Sequence, residues 1–308
     1  MIRAIWPLIA LLLTSCGLTA QALGYSRDAS GIRVSDHGKP VLYYRTAEAA
    51  FEGQYPRANY IHPLYGIDGE ILTEDFPEDH LHHRGIFWAW HQVLANGVPM
   101  GDSWECRDFI WDVDTVEVVP ADSVLTLNSR VLWKSPAFLG PEGKKLPFIL
   151  EKTEIRIHAR TAETQAIDFE ISLLALVPNL RLGGSDDEKG YGGFSVRMKL
   201  PEGIGFFSDT GPIFPRENAV EAASWMNITG ALGADGKNAG LLIFGPAKAG
   251  GKTASWILRE KGSMQNAVFP GRTPVAISMH NPTVLRYRLV VYKGQLSREQ
   301  IASLKPPW

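Results

Sequence analysis

Cysteine is nearly absent from the chain, since Cys16 and Cys106 are its only 2 thiols. Cys16 lies in a segment that we expect to be processed, which leaves Cys106 without a partner for an internal disulfide. A small scaffold held together by disulfides is therefore excluded. Stability must come from a hydrophobic core, and the 308 residues are enough to bury one.

The chain also lacks an excess of charge of either sign. It has 31 Lys and Arg against 33 Asp and Glu, a net charge of −2, and no long block of basic residues. Nucleic-acid phosphates require a basic face, so we expect no nucleic-acid partner. Long hydrophobic runs are missing beyond the N-terminus, and we therefore expect no transmembrane helix in the mature chain.

The N-terminal segment is typical of an export signal. Arg3 precedes an apolar run over residues 5–13 that is too short for a transmembrane helix but suits the core of a signal peptide. The run ends in Leu13-Thr-Ser-Cys16-Gly17, which resembles a bacterial lipobox. We expect a signal peptide at residues 1–15, a tether at 16–28, and fatty-acyl chains such as palmitate on Cys16 that anchor the protein in the bacterial cell envelope. The alternative is an ordinary secretory signal with a chance cysteine.

The rest of the chain has the period of two that is typical of β-strands. Apolar residues alternate with polar ones over residues 152–160, which predicts a half-buried antiparallel strand with His158 on its solvated face. Strand-like runs occur at residues 39–45, 109–119, 123–134, 165–177, 193–200, 240–244, 274–279 and 285–292. The only strong helix signal is a capping box, Ser297 with Gln300, ahead of a short helix that ends by Pro306. These patterns predict an all-β fold, a large antiparallel β-sandwich over residues 29–308 with a short C-terminal helix.

Histidine is concentrated in one part of the sequence. Five of the 8 histidines fall within thirty residues, at positions 62, 80, 82, 83 and 91. Imidazole can transfer protons or ligate a metal near neutral pH, so this segment is the first candidate for a functional site. Residues 81–93 are predicted to form a strand, with His82, Arg84, Trp88 and Trp90 on one face and Leu81, His83, Phe87, Ala89 and His91 on the other. Gly85 is the natural place for a bend.

Three functional readings of the cluster and one structural reading stay open. In a sugar site, histidine transfers a proton, Arg84 holds a carboxylate or oxyanion, and tryptophans stack on the sugar. In a metal site, His80 and His82 ligate together with a carboxylate from Asp79, Glu70 or Glu105. In a non-catalytic glycan-binding protein, only the tryptophan platforms matter. In the structural reading, the imidazoles and Arg84 form a satisfied buried hydrogen-bond network.

The same segment carries a family resemblance. Pro77-Glu-Asp-His80-Leu-His-His-Arg84-Gly-Ile, together with Lys189-Gly-Tyr-Gly-Gly193 and His280-Asn-Pro, resembles the DUF6807 family, which is often labelled as similar to the PmoA subunit of methane monooxygenase. That subunit is a multi-span membrane protein, whereas we expect no transmembrane helix in the mature form of this chain. The resemblance implies an association with bacterial sugar catabolism and a supersandwich of the galactose-mutarotase type.

The sequence therefore predicts an exported carbohydrate-active protein, in which lyase, epimerase and hydrolase chemistry remain open. The predicted catalytic residues are His80, His82, His83 and Arg84, and we expect His80, His83 and Arg84 to matter more to activity than to folding. The predicted substrate-binding residues are His62, Glu70, Asp79, His91, Trp88, Trp90, Lys189, Tyr191 and His280. No cofactor is expected to be obligatory, because Arg84 in the cluster would repel a cation, and a divalent metal on His80 and His82 is the alternative.

Overall fold

A computed structural model describes residues 22–246 and 253–308. The predicted signal peptide at residues 1–15 and the predicted lipidation at Cys16 lie outside the described residues. Within the described part of the chain, no helix is long and apolar enough to cross a membrane.

The secondary structure is almost entirely β. The strands are β1 (Leu23–Arg27), β2 (Gly31–Asp36), β3 (Lys39–Arg45), β4 (Ala49–Phe51), β5 (Gln54–Arg57), β6 (Tyr60–Leu64), β7 (Ile86–Trp90), β8 (Gln92–Ala95), β9 (Val98–Pro99), β10 (Ile110–Pro120), β11 (Val124–Leu139), β12 (Lys145–His158), β13 (Thr164–Ala175), β14 (Leu180–Gly183), β15 (Gly192–Val196), β16 (Gly205–Ser208), β17 (Gly211–Pro212), β18 (Val220–Ala223), β19 (Trp225–Gly230), β20 (Ala239–Phe244), β21 (Thr253–Ile257), β22 (Gln265–Val268), β23 (Val275–Ile277) and β24 (Thr283–Lys293). The α-helix is α1 (Arg298–Ser303), and short 3-10 turns occur at Pro141–Gly143 and Ala234–Gly236.

Two large sheets carry the fold. The first sheet has 9 strands in the order β1-β2-β3-β6-β7-β15-β22-β21-β18, and the second has 9 in the order β10-β11-β12-β13-β24-β20-β19-β16-β17. A sheet of 4 strands, β23-β14-β8-β9, and the β4-β5 hairpin complete the described topology. Neighbouring strands are antiparallel, as in the β11-β12-β13 meander and the β7-β15 pair.

The main hydrophobic core lies between the two large sheets. Trp88 of the first sheet contacts Phe169 of the second, with ring centroids 6.3 Å apart. Phe194 of the first sheet stacks on Tyr287 of the second at 4.5 Å. Alternate residues of β12, including Ile155 and Ile157, are buried here. The predicted fold class, a large antiparallel β-sandwich, is confirmed.

A smaller buried cluster lies on the outer face of the first sheet. It consists of Tyr60, Phe87, Ala89, Trp104 and Met264, with Tyr191 packed against it. Because side chains alternate along a strand, Phe87 and Ala89 of β7 point outward while its tryptophans point into the main core. This outer face supports the candidate site.

The predicted strands and helix agree with the structure in position. The run at 39–45 coincides with β3, and those at 109–119, 123–134, 165–177 and 285–292 correspond to β10, β11, β13 and β24. The runs at 193–200, 240–244 and 274–279 correspond to β15, β20 and β23, and residues 152–160 fall mostly in β12. The capping box of Ser297 and Gln300 is present at the start of α1.

One predicted boundary is corrected by the structure. Residues 16–28 were predicted to be a tether, but β1 (Leu23–Arg27) pairs with β2 over its whole length. Leu23 is 1% exposed and belongs to the main core. Within the described residues the sandwich therefore includes the strand from Leu23 onward, because this strand buries an apolar side chain and satisfies its backbone hydrogen bonds there.

Candidate functional site

Three histidines are brought together by a loop between β6 and β7. The amide of His80 donates to the carbonyl of Pro77 (3.0 Å), and the amide of His83 donates to the carbonyl of His80 (2.8 Å), so two tight turns follow each other. Such turns place residues three apart on the same side. The rings of His80 and His83 stack with centroids 4.5 Å apart and planes 2° from parallel, and the ring of His82 packs edge-on at 4.5 Å from that of His83.

This loop corrects the predicted strand over residues 81–93. The strand β7 begins only at Ile86 and ends at Trp90. In an extended strand His80 and His83 would be about 10 Å apart and on opposite faces, and their rings could not stack. Gly85 does mark a change of direction, but its missing side chain admits the Ile61 carbonyl, which would lie 2.1 Å from an added Cβ. The group that approaches Gly85 closely is therefore the backbone of Ile61.

Arg197, which the sequence analysis missed, holds the histidine loop against the sheet. It directly follows β15 and is 4% exposed. Its guanidinium donates to both carboxylate oxygens of Asp79 (2.7 and 3.1 Å) and to Glu74 (2.8 Å). Burial raises the pKa of Asp79, but the hydrogen bonds from Arg197 and His80 outweigh that effect and the net shift is downward. Asp79 is therefore a carboxylate that orients its neighbours.

His83 is held neutral mainly by its burial, and Arg197 fixes its tautomer. Nη1 of Arg197 lies 3.3 Å from Nδ1 of His83, and a guanidinium can only donate, so Nδ1 accepts and the proton lies on Nε2. His83 is 3% exposed. Burial, followed by the charges of the neighbouring histidines and Arg197, lowers its pKa far below the ordinary value. Burial is also the main cause that lowers the pKa of His82 to about 4.

Two histidines of the site form pairs with aspartates. Nδ1 of His80 lies 2.9 Å from Oδ2 of Asp79, and Nδ1 of His91 lies 2.9 Å from Oδ2 of Asp102. Asp102 is itself fixed, because its Oδ1 accepts the amides of Trp104 and Glu105 at 2.9 Å each. In both pairs the carboxylate orients the ring and leaves Nε2 as the nitrogen available for proton transfer.

A cleft of about 600 Å³ connects these groups. Trp104 lies between the two histidine groups, with its ring 6.4 Å from that of His83 and 5.3 Å from that of His91. Tyr191 follows at 5.1 Å from Trp104. The remaining lining is mostly charged. It comes mainly from the segments before β18 and between β21 and β22: Pro215, Arg216, Glu217, Leu258, Arg259, Glu260, Lys261 and Ser263.

The structure brings six of the predicted site residues to the cleft. These are His80, His82, His83, His91, Lys189 and Tyr191. Asp79 does not line the cleft but pairs with His80 from behind. Glu105, which the sequence offered as a possible metal ligand, also lines the cleft, and its Oε2 lies 3.7 Å from Nδ1 of His82. Within the described ranges, no three His, Cys, Asp or Glu side chains are grouped so that they could hold a metal ion.

Arg84 does not line the cleft, contrary to the sequence-based prediction. Its side chain is fully buried, donates to the carbonyls of Ala49 and Tyr55, and pairs with Asp75 at 3.3 Å. Its guanidinium lies 3.2 Å from the centroid of the Phe76 ring. A guanidinium enclosed in this way ties segments of the fold together and cannot reach a ligand.

The tryptophans of β7 are also removed from the predicted substrate surface. Trp88 and Trp90 are at most 1% exposed, because they lie on the inner face of the first sheet. The indole of Trp88 donates to Glu151 (2.9 Å) and that of Trp90 donates to the carbonyl of Phe269 (2.7 Å). Trp104, which was not among the predicted site residues, is the tryptophan that lines the cleft.

Three more predicted residues lie elsewhere. Nδ1 of His62 is hydrogen-bonded to Oγ1 of Thr73 (3.0 Å), and burial lowers the pKa of His62. The carboxylate of Glu70 packs against Gly66, where an added Cβ would lie 2.0 Å from Oε1. His280 is exposed in the turn before β24, with its amide bonded to Ser278 (3.0 Å). None of the three belongs to the described lining of the cleft.

The fold and site define an all-β sandwich with a histidine-rich cleft on one outer face. The chain belongs to DUF6807, a family of unknown function, whose model matches residues 31–305. No curated protein matches the chain.

Two solved structures that match the chain are distant in sequence. One is YeaD from Salmonella typhimurium, a candidate mutarotase, at 10% identity and a TM-score of 0.37, covering 93% of this chain and 97% of that one. The other is the Slr1438 protein from Synechocystis sp. PCC 6803, at 11% identity and a TM-score of 0.37, covering 88% of this chain and 96% of that one.

Proposed function

We propose that the protein is an enzyme that transfers protons to and from a carbohydrate bound in the cleft. The observation that carries this proposal is the presence of two Asp–His pairs, Asp79–His80 and Asp102–His91, on one cleft. A reaction that removes one proton and delivers another needs a base and an acid in the same site. The ring of Tyr191, which packs against the buried Trp104, offers apolar surface to the face of a sugar ring.

The reaction type that fits this set is epimerisation or elimination. One imidazole takes a proton from the carbon beside a carbonyl or carboxylate, and the electron pair moves toward that group. In an epimerisation the second imidazole returns a proton to the opposite face, and in an elimination it protonates the leaving oxygen. Both reactions balance without an oxidant or reductant.

Proton NMR in D2O tests the proposal with candidate sugars such as D-galactose and D-galacturonate and their glycosides. The wild type should exchange a carbon-bound proton for deuterium or produce vinyl protons. Changing His80→Gln or His91→Gln should slow this by about two to four powers of ten. His280→Gln is the matched control, since His280 is exposed and outside the cleft lining.

Two results would contradict the proposal. Unchanged rates in both histidine variants would place the chemistry elsewhere. Binding of the sugars without any exchange or elimination, and without loss in the histidine variants, would favour a glycan-binding protein that uses Tyr191 as its platform.

The proposal requires no resident metal, because the two Asp-paired imidazoles of His80 and His91 supply both the acid and the base. Elemental analysis of the dialysed protein measures this directly. A near-stoichiometric transition metal that is lost on changing His80 and His82 to Ala would replace the acid/base proposal with a metal-dependent one.

We further propose that the mature protein is anchored to a bacterial cell-envelope membrane through Cys16. Diacyl and acyl chains together anchor stably where one chain does not. The full-length protein should therefore partition with membranes, and Cys16→Ser should release or mislocalise it. Normal processing and membrane retention of the Cys16→Ser protein would show that lipidation is not the anchor.

A further inference from the structure

Arg259 lies at the cleft with no carboxylate partner among the described residues. Its Nη1 donates to the carbonyls of Arg216 (2.7 Å) and Leu258 (2.9 Å), and its Nη2 donates to the carbonyl of Glu217 (2.8 Å). Its guanidinium carbon lies 5.6 Å from the centroid of the Tyr191 ring. The positive charge is thus held in place by dipoles and is not neutralised by an ion pair.

The backbone of Arg259 is fixed as firmly as its side chain. Its amide donates to Oε1 of Gln265 (2.9 Å), and its carbonyl accepts from Nε2 of the same side chain (2.8 Å). Gln265 is 1% exposed. Because the buried Gln265 side chain is hydrogen-bonded to both the amide and the carbonyl of Arg259, the arginine is held at the cleft with little freedom to move.

The contacts leave a defined part of the guanidinium free. Of its five N–H donors, the three described bonds use both on Nη1 and one on Nη2. The N–H of Nε and one N–H of Nη2 remain. A carboxylate can take such a pair through its two oxygens, which gives a strong and geometrically specific contact.

The charges around Arg259 do not replace the missing carboxylate. The described cleft lining contains four cationic side chains, Lys189, Arg216, Arg259 and Lys261, against three carboxylates, Glu105, Glu217 and Glu260. Of these carboxylates, Glu217 is 3.8 Å from Lys189 and Glu105 is 3.7 Å from His82. The described lining thus carries one more positive than negative side chain, which favours an anion over a cation.

We infer that the carbohydrate taken by this cleft carries a carboxylate, as a uronic acid or other sugar acid does. Arg259 binds the carboxylate, and Tyr191 and Trp104 lie between Arg259 and His91 in consecutive contacts of 5.6, 5.1 and 5.3 Å. A sugar acid whose carboxylate binds Arg259 therefore extends along this row toward His91. The inference rests on the proposed function, and it explains how a proton beside the carboxylate becomes removable, since the arginine stabilises the charge that develops on the carboxylate.

Calorimetric titration with D-galacturonate, D-galactose and D-galactose 6-phosphate tests the inference on the wild type and two variants. We expect galacturonate to bind about tenfold or more tightly than galactose. Arg259→Gln should remove that preference and leave galactose affinity unchanged. Arg130→Gln is the control for loss of one positive charge, because Arg130 pairs with Asp114 on the second sheet.

Equal affinity of the wild type for galacturonate and galactose would overturn the inference, as would an equal loss of both in Arg259→Gln. Tighter binding of the phosphate than of galacturonate would overturn the choice of carboxylate. If Arg259→Gln does not fold, the preference of the wild type should still fall with rising salt while galactose binding does not. Failure of the proposed function is separate: galacturonate would bind with the expected preference and yet undergo no exchange or elimination.

Discussion

At the scale of single residues, hydrogen bonds determine what each imidazole can do. The carboxylates of Asp79 and Asp102 accept from Nδ1 of His80 and His91, so the neutral rings present an acceptor at Nε2. His83 has the opposite tautomer, because its Nδ1 accepts from Arg197. A paired histidine is thus suited to remove a proton in its neutral form and to return one once it is protonated at Nε2, whereas His83 is suited to donate a hydrogen bond.

Changing Asp102→Asn should reverse the tautomer of His91 with little effect on the fold. Asparagine keeps an oxygen for the amides of Trp104 and Glu105, but its NH2 group then faces Nδ1 of His91, which must accept. Activity should fall by about two to four powers of ten, while the melting temperature stays close to that of the wild type. Turnover in D2O and thermal unfolding of the same samples check this. A large fall in melting temperature with normal activity per folded molecule would contradict it.

Arg84 illustrates a residue whose chemistry was predictable and whose place was not. A guanidinium next to three histidines in sequence suggested a ligand contact, but burial against Phe76 and the Tyr55 carbonyl assigns it to the fold. The role assigned to His83 also shifts toward the fold, because at 3% exposure the side chain contributes to packing as well as to the site. The burial of Arg84 and His83 therefore argues against the expectation that they matter more to activity than to folding.

We predict that Arg84→Lys lowers the melting temperature by several degrees and leaves activity per folded molecule unchanged. Lysine cannot reproduce the fork that contacts Asp75 and two carbonyls, and the loss of such a buried network costs about 3 kcal/mol. Thermal unfolding and turnover measure the two effects. Arg33→Lys on the exposed side of β2 is the control. Normal stability with lost turnover would return Arg84 to the catalytic set.

At the scale of elements, the period of two predicted the strands but not the loop that carries the site. Residues 86–90 are a strand with outward Phe87 and Ala89, in agreement with the alternation. The preceding histidines fit the same pattern by chance, since two consecutive turns from Pro77 to His83 decide their positions. A turn is set by a few local hydrogen bonds, which hydrophobic periodicity does not report.

Gly85→Ala should displace the histidine loop, because the added Cβ would lie 2.1 Å from the carbonyl oxygen of Ile61 on β6. Backbone cannot move as a flexible side chain can, so both melting temperature and turnover should fall. Gly24→Ala in β1 is the matched control, since its Cβ would meet only Oγ of Ser35 at 3.4 Å. Thermal unfolding and turnover of the two variants provide the comparison. Equal behaviour of the two variants would show that the loop does not depend on this close approach.

At the scale of the whole molecule, the fold class followed from the sequence but the site did not. Period-two runs and turn signals report local structure, and local structure is most of what a sandwich requires. Arg197 and Arg259 reach the site because β15 lies next to β7 in the first sheet and β22 and β21 follow. Hydrophobic periodicity does not report the order of strands from distant segments, so the sequence did not point to Arg197 or Arg259.

Acidification should destabilise the protein between about pH 6.5 and 4. Burial lowers the pKa of His82 from 6.5 to about 4, so over this range the unfolded chain binds more protons than the folded one. Stability therefore decreases as the pH falls through this window, and His83 acts in the same direction. In His82→Gln the difference in bound protons between the unfolded and folded states should be smaller by about one, so the melting temperature should depend less on pH. His280→Gln should not change this dependence. Thermal unfolding across the window measures this, and an unchanged dependence in His82→Gln would contradict it.

The central claim is that the imidazoles of one cleft face a bound sugar, and nitrogen NMR of histidine side chains tests it most directly. Protein labelled with 15N in its imidazoles is titrated with D-galacturonate, and each ring is assigned by single substitutions. The account predicts that the Nε2 signals of His80 and His91 shift on binding while those of His158 and His280 stay in place. Saturating galacturonate binding without any shift of His80 or His91 would contradict the account.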